Sequence, residues 1–392
     1  MINKASIIKT KTDDLRGLLA SSTTVVSLYL NVPLDLAEHR SLLTKARELI
    51  KAGQGQPAGQ GQPVSADVES ITGLISERSQ DWLGRTVAIF ACGEVGLLQA
   101  IPLPGPAEDR AVLSTRPYTR PLLAALQRHP DYQIAVLDGK HAWILSVHDD
   151  DVDMLFERTG PDLPSSAFAG WAGLEAHRMQ QRILNLSRQH YRDTAAILER
   201  TTAASQRPLV LGGHDRQISQ FRPMLPRTVS QRLAGSFAVD VSSATPARVR
   251  DLANPVIARW SQAAEAQLVA EAVSEPPDGN ITTDLESCLT AVRSGAVSQL
   301  VLADDQMVPG SVCDACGGLA VGSVSIAAGA AGCTCPDPAS MARRVPDVLD
   351  ELACQALDGG SEVTAARAAP FTAAAWLRFQ PAGSWGFQPA GS

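Results

Sequence analysis

Residues 168–192 read FAGWAGLEAHRMQQRILNLSRQHYR and form the strongest local pattern in the chain. Small residues around a tryptophan are followed directly by a long helical pattern. Arginines recur near one stripe of that helix, with His190 close by, and apolar residues recur on a neighbouring stripe that a core can bury. A glycine-containing tip on a basic helix suits contact with a phosphate backbone, so we predict RNA binding here. The predicted RNA-binding residues are Gly170, Trp171, Ala172, Gly173, His177, Arg178, Arg182, Arg188 and Arg192.

The composition is that of a globular protein, with 45% hydrophobic and 19% charged residues. The net charge of −7 argues against a protein that coats nucleic acid generally, but it allows a local contact with RNA. No apolar run is long enough to span a bilayer, and residues 1–14 lack the apolar segment of a secretory signal. We therefore expect a cytoplasmic protein with no membrane partner.

Strand and helix patterns alternate along 392 residues, which are too many for one ordinary core. We predict an α/β fold of three consecutive α/β domains, each with a mixed sheet and packed helices, and a small zinc-binding insertion in the third. Since each domain has apolar elements of its own, we expect a monomer in isolation. The predicted segments are an N-terminal domain at 1–127, a central domain with the tip and basic helix at 128–275, a C-terminal domain at 280–380 and a disordered tail at 381–392.

Local motifs predict the elements of the central domain. An Asp-Gly pair at 138–139 stands between two apolar runs and predicts a hairpin. Residues 207–211 predict a short buried strand before a glycine turn at 212–214, and residues 237–241 predict another strand. Trp260 lies among apolar residues, so we expect it in the core.

Four of the seven cysteines are clustered in a C-x₂-C…C-x-C arrangement. Four thiolates match a closed structural zinc site, which leaves no open position for catalysis. The residues between the two pairs are small and rich in glycine and alanine, so a metal would stabilise a segment that has no core of its own. Free cysteines in an exposed insertion, or a site that has lost its metal, are the alternatives. The predicted zinc ligands are Cys313, Cys316, Cys333 and Cys335.

The domain order resembles the class-one release factors of archaea and eukaryotes, their relative Pelota, and the bacterial release-factor-like proteins that include Balon-like hibernation factors. LVLGGH at 209–214 is similar to the family's strand and glycine turn. LESCLTAVRSGAVSQLVL at 285–302 is similar to its helix, Gly-Ala-Val turn and strand, and residues 359–363 and 373–379 are similar to its closing strands. Some members also carry a metal-binding cysteine insertion in this domain.

The tip at 170–173 departs from this resemblance where the chemistry of release would lie. Release factors carry Gly-Gly-Gln there, whereas this chain reads GWAG and contains no Gly-Gly-Gln and no Asn-Ile-Lys-Ser motif. The resemblance therefore implies a non-enzymatic ribosome-binding factor that blocks the A site during stress or hibernation. Its partners would be the rRNA of the A site and peptidyl-transferase centre, where Trp171 could stack on a base, and a translational GTPase such as elongation factor Tu.

Two further hypotheses remain open. The chain could be an enzyme, such as a peptidyl-tRNA hydrolase or rescue factor for stalled ribosomes, or a nuclease, using Glu175 and His177. Residues two apart on a helix point to different sides, which argues against that pair. Alternatively, the chain could act outside translation, with residues 212–215 as a phosphate loop, although they lack the lysine and spacing of such a loop.

Overall fold

The computed structural model shows an α/β protein, as predicted, with several sheets and packed helices. The mixed sheet predicted for each domain is wrong for the N-terminal segment, because its sheet is antiparallel throughout. Its described part divides into two compact units. The central unit comprises residues 129–263, and the split unit comprises residues 15–128 together with residues 264–379. The predicted division into three domains stays a prediction, and the tail predicted at 381–392 lies outside the described residues. The structure describes residues 15, 24–35, 39–54, 65–148, 151–160, 173–203, 205–274, 279–322 and 342–379.

The N-terminal part of the split unit is a four-stranded antiparallel sheet with the strand order β3-β2-β1-β4. Side chains of β1 alternate between two cores, because helices cover both faces of the sheet. Leu28 and Leu30 pack with α1 and α2, whereas Tyr29 packs with Leu122 of α3. The elements are β1 (Val25–Asn31), α1 (His39–Gln54), α2 (Ser65–Arg78), β2 (Thr86–Cys92), β3 (Leu97–Pro102), β4 (Arg110–Ser114) and α3 (Arg120–Arg128).

The central unit is a five-stranded sheet with the order β7-β6-β5-β8-β9, in which β5, β8 and β9 are parallel. The predicted hairpin is present, since β5 and β6 pair antiparallel around residues 138–140. Leu137 packs on the face covered by α4, α5 and α6, and Val136 packs on the face covered by α7. The elements are β5 (Tyr132–Leu137), β6 (His141–His148), β7 (Asp151–Thr159), α4 (Gly173–Thr202), β8 (Leu209–Gly212), α5 (Asp215–Phe221), α6 (Arg227–Ser230), β9 (Leu233–Phe237) and α7 (Pro246–Val273).

The C-terminal part of the split unit contains a mixed sheet with the order β10-β16-β11-β15 and a small antiparallel sheet with the order β13-β12-β14. Asp284 and Asp347 cap α8 and α9 by accepting hydrogen bonds from backbone N–H groups of the first turn. The elements are β10 (Ile281–Thr282), α8 (Leu285–Arg293), β11 (Val297–Ala303), β12 (Gly310–Cys313), β13 (Leu319–Val321), β14 (Ala342–Val345), α9 (Val348–Asp358), β15 (Glu362–Ala366) and β16 (Ala373–Leu377).

A buried polar cluster joins the two parts of the split unit at the start of α3. Arg120 Nη2 lies 3.0 Å from Asp347 Oδ2, and both side chains are at most 1% exposed. The Tyr118 hydroxyl donates to the same carboxylate at 3.1 Å. Asp350 Oδ1 accepts from the backbone N–H groups of Thr119 and Arg120. The N-terminal sheet and α9 are therefore held together by charge as well as by apolar packing.

Two predictions for the central domain are wrong. The strand expected at 237–241 lies at Leu233–Phe237, because Asp240 forms a local turn in which its side chain accepts from the backbone and hydroxyl of Ser242. Trp260 is 37% exposed and lies outside the core beneath α7. Periodicity identifies the apolar side of a helix but not where the sheet beneath it ends. No helix in the described part of the chain combines the length and hydropathy that a bilayer crossing requires.

Candidate nucleic-acid interface

Helix α4 spans 30 residues and is anchored along one side of its C-terminal half. Tyr191, Ala195 and Leu198 are at most 3% exposed and pack in a core with residues of β5, β6 and α5. Tyr191 meets Phe221 of α5 edge to face, with ring centroids 6.0 Å apart. The sheet therefore fixes which side of the helix faces solvent.

Three arginines lie on the solvent side of α4. Arg182, Arg188 and Arg192 are all exposed, and no ion pair within the described residues involves them. The nearby acid Asp193 is already engaged, because its carboxylate lies 3.0 Å from Arg158 Nη1 and accepts a hydrogen bond from a glutamine of the helix. These three guanidinium groups keep their donors available for an anion.

The structure describes only part of the predicted RNA-binding site. Residues 170–172 lie outside the described residues, and Gly173 is the first residue of α4. His177 and Arg178 belong to α4, but their side chains lie outside the described set. Of the predicted residues other than glycine, only Arg182, Arg188 and Arg192 have side chains that the structure describes. The RNA-binding role of every predicted residue stays a prediction.

His190 does not accompany the arginine stripe, contrary to the interpretation of the sequence. It is 3% exposed and lies beside Tyr191 on the buried side of α4. Burial lowers the pKa of its imidazole. A buried, neutral imidazole cannot contact a phosphate from this position, so His190 belongs to the core.

Sequence analysis missed three exposed arginines that follow β8. Arg216 lies on α5, Arg222 begins a 3₁₀ turn and Arg227 begins α6. All three are exposed, and α5, the turn and α6 all contact α4. They lie on three short elements and show no helical periodicity, so only the local excess of arginine over acidic residues could have indicated them.

The glycine turn after β8 is explained by packing rather than by a ligand. Gly213 has a φ of +151°, and a Cβ at this position would overlap the carbonyl oxygen of Leu137. A Cβ on Gly212 would lie 2.7 Å from the ring of Phe237. Close approach of β8 to its neighbouring strands therefore requires both glycines. His214 follows on the surface.

A Ser-His-Asp arrangement lies at the other end of the same sheet. Ser146 Oγ lies 2.9 Å from His148 Nε2, and His148 Nδ1 lies 3.1 Å from Asp131 Oδ2. Arg207 Nη1 donates to the serine hydroxyl at 3.2 Å and lies 3.2 Å from the same imidazole nitrogen. Ser146 is only 2% exposed and shares its base with a cation, which opposes nucleophilic chemistry. The cluster is a polar network that fixes the strand ends.

The first two predicted zinc ligands lie on a turn that fits a metal site. Cys313 ends β12 and is fully buried, and Cys316 follows in the turn toward β13. Gly317 N–H donates to the Cys313 carbonyl at 2.7 Å, which folds the two cysteines onto one turn. Cys333 and Cys335 lie outside the described residues, and within the described ones no group of three or more metal-ligating side chains is found. Zinc binding stays a prediction.

Residues 117–264 match the sequence profile of the bacterial archaeo-eukaryotic release factor family 10. The predicted resemblance to release-factor-like proteins is confirmed. The match covers less than half of the chain, but it includes the whole central unit and therefore the arginine stripe of α4. Among curated protein sequences, none matches this chain.

Solved structures of translation factors give weak overall superpositions. An archaeal translation termination factor, aRF1, is 13% identical with a TM-score of 0.27, covering 96% of this chain and 99% of its own. Pelota from Archaeoglobus fulgidus is 14% identical with a TM-score of 0.33, covering 76% and 81%. Dom34 from S. cerevisiae is 9% identical with a TM-score of 0.38, covering 78% and 81%. At such scores these likenesses carry no argument about function.

Proposed function

We propose that this protein is a ribosome-associated translation factor without the release motif, which binds the ribosomal A site as a hibernation or stress factor. The observation that carries the proposal is the exposed stripe of Arg182, Arg188 and Arg192, for which the described residues supply no ion-pair partner, on a release-factor-like central unit. A surface stripe of guanidinium groups whose nearby acid, Asp193, is already engaged by Arg158 suits the regular phosphates of rRNA.

The physical basis of this binding is counterion release. Each phosphate that a guanidinium neutralises contributes a slope of about −0.9 to log K against log salt for duplexes. Three arginines would thus account for a slope of about −3. The tip at 170–173 would approach the peptidyl-transferase centre, and Trp171 would supply a stacking surface for a base.

The proposal includes no hydrolysis of peptidyl-tRNA. The tip has no glutamine beside its glycines, so it lacks the group with which release factors orient water. The alternative, a peptidyl-tRNA hydrolase or rescue factor, is tested by peptide release from loaded ribosomes. Release above background that is lost in Glu175→Ala would replace our proposal with the enzymatic one.

The proposed setting is a cytoplasmic protein that is monomeric off the ribosome and meets a translational GTPase, such as elongation factor Tu, on it. The family resemblance is the support for this partner. Co-sedimentation of the protein with ribosomes in the presence and absence of the GTPase measures whether the partner is required.

We also propose a structural zinc ion held by Cys313 and Cys316 with Cys333 and Cys335. The turn formed by the first pair supports it, because a tight turn after a strand brings two thiolates of a C-x₂-C motif to one side. When bound, zinc would tie the turn after β12 to the second pair of cysteines, and the cysteines would serve only as ligands.

The experiment that tests ribosome binding compares two double variants of the full chain. R188Q/R192Q removes two exposed charges of the α4 stripe, and R248Q/R259Q removes two exposed charges of α7, which packs on the opposite face of the sheet. We expect the first variant to lose about tenfold or more in affinity for purified ribosomes and the second to bind like the wild type. Equal binding by all three proteins would refute the role of the stripe.

The proposed role during starvation is tested in cells. Sucrose-gradient sedimentation of tagged protein from growing and from starved cells should place it with ribosomes during starvation. Cryo-electron microscopy of that fraction should show the central unit in the A site. Protein that stays at the top of the gradient under both conditions would contradict the hibernation role.

A further inference from the structure

The segment after β8 carries positive charge that the α4 stripe does not include. Residues 212–232 contain Arg216, Arg222, Arg227 and Arg232 but only one acidic residue. The first three are exposed and form no ion pair within the described part of the chain. The fourth is only partly exposed, and its guanidinium bonds to residues 202–205, so it serves the fold.

Packing holds this segment beside α4. Phe221 and Val229 are at most 1% exposed and lie in the same core as Leu198 of α4. The charge of Arg216 is close enough to Tyr191 to lower its pKa, against the larger effects of burial and of Asp138, which raise it to about 12. The backbone between Arg222 and Arg227 is also stiffened by Pro223 and Pro226, which stand next to the two arginines. Its arginines are therefore held on a rigid support.

The composition of residues 173–232 favours RNA over an acidic protein as the binding partner. Residues 173–232 contain ten arginines, no lysine and four acidic residues, in a chain whose net charge is −7. Arginine binds phosphate through two parallel N–H groups and can stack on bases. Protein interfaces, by contrast, need buried apolar anchors. None of the large hydrophobic residues found exposed in the described structure lies between residues 181 and 232.

We propose that Arg216, Arg222 and Arg227 form a second row of phosphate contacts beside the α4 stripe. This inference rests on the proposed function, and it adds that the central unit contacts two neighbouring RNA backbones instead of following one. Packed helices lie about 8–10 Å apart, so two rows of arginine on neighbouring elements suit a folded RNA, in which two backbones lie side by side and proteins read shape and phosphates. The occupant we infer is therefore structured RNA, bound by shape and charge without base recognition.

The test uses the full-length protein, a fluorescent RNA hairpin and purified ribosomes, across a series of salt concentrations. R222Q/R227Q removes two charges of the second row, R188Q/R192Q removes two of the α4 stripe, and R248Q/R259Q is the matched control. For R222Q/R227Q we expect about a tenfold loss of hairpin affinity and a salt slope shallower by about 2. A combined variant with all four changes should lose hairpin affinity by a factor equal to the product of the two separate fold-losses.

The outcomes separate this inference from the proposed function. If R188Q/R192Q weakens binding but R222Q/R227Q behaves like the control, the second row is wrong and the proposed function stands. If no variant differs from the wild type, or if the wild type binds neither RNA nor ribosomes, both are wrong. Polyaspartate that competes as well as unlabelled hairpin at equal charge would overturn the assignment to RNA and indicate an acidic protein partner.

Discussion

Arg120 and Asp347 form an ion pair that is almost completely removed from solvent, although some 230 residues of chain separate this part of α3 from the start of α9. Each charge depends on the other, because an isolated buried charge is strongly unfavourable. The pair therefore makes the N-terminal sheet and the C-terminal helices a single cooperative unit.

Replacing Arg120 with methionine should destabilise the protein by about 3–5 kcal/mol, because Asp347 would stay buried without its cation. Urea unfolding followed by tryptophan fluorescence measures the loss. The double variant R120M/D347N should recover part of it, since asparagine keeps the cap of α9 without the charge. Asp251→Asn, in the exposed pair with Arg250, is the control and should change stability by less than about 1 kcal/mol. A loss no larger than that of the control would contradict this account.

Asp350 should make stability fall with rising pH. Its burial, reinforced by Asp347 and Glu351, raises its pKa to about 7. Between the ordinary carboxyl pKa near 4 and about 7, the folded state holds a proton that the unfolded state has lost. The stabilisation that comes from this bound proton is therefore fully present below pH 4. It is lost as the pH rises through 7, at up to about 1.4 kcal/mol per pH unit.

The variant Asp350→Asn tests this sign. The amide oxygen can still accept from the backbone N–H groups of Thr119 and Arg120, so the geometry is retained. Unfolding measured at pH 5, 6, 7 and 8 should show a flatter dependence in the variant than in the wild type. Parallel curves for the two proteins would show that this carboxyl does not titrate as proposed.

His190 should make the protein sensitive to acid. Burial lowers its pKa, so below the ordinary histidine pKa of about 6.5 the unfolded state binds a proton that the folded state refuses. Stability is therefore lost as the pH falls below 6.5. His190→Leu should lose this acid sensitivity, because the variant has no group to protonate at this position. The difference between the two proteins should widen between pH 7 and pH 5 in thermal unfolding.

Gly213→Ala should destabilise the central unit by about 2 kcal/mol or more, since the new Cβ would overlap the Leu137 carbonyl oxygen. Gly73→Ala is the matched control, because it lies in α2 with open space around it. That change should instead stabilise by about 0.5–1 kcal/mol through helix propensity. Equal effects of the two substitutions in urea unfolding would remove the packing explanation for the glycine turn.

The zinc proposal is tested by metal content and by the fold of the small sheet. Native mass spectrometry of the full chain should show one zinc ion, and Cys316→Ser should lose it. Cys288→Ser is the control, because that thiol is fully buried on α8 and donates to the Thr282 carbonyl. A wild-type protein without bound metal would contradict the proposal.

Local patterns predicted those elements whose signal repeats along the chain. The 3.6-residue periodicity after Gly173 corresponds to α4, and the Asp-Gly pair at 138–139 corresponds to the hairpin of β5 and β6. The pairing of Arg120 with Asp347 could not be predicted in this way, because a contact over such a separation leaves no periodic trace.

Sequence periodicity identified the exposed arginines that share one helix and missed those that lie on separate short elements. Arg182 to Arg192 share a stripe that a helical projection displays. Arg222 and Arg227 belong to a 3₁₀ turn and a short helix, whose position beside α4 depends on the core around Phe221. His190 was wrongly grouped with the arginines. A helical projection gives the direction of its side chain only approximately, and its burial results from tertiary packing.

The long separation between Arg120 and Asp347 has a consequence during synthesis. Arg120 is translated about 230 residues before the carboxylates of α9, and at 5–20 residues per second its partner follows roughly 10–45 s later. The central unit has all of its strands in one continuous stretch and emerges complete within that interval. The central unit can therefore fold before the split unit is complete, and the N-terminal sheet acquires its final partner only once residues 347–350 have been made.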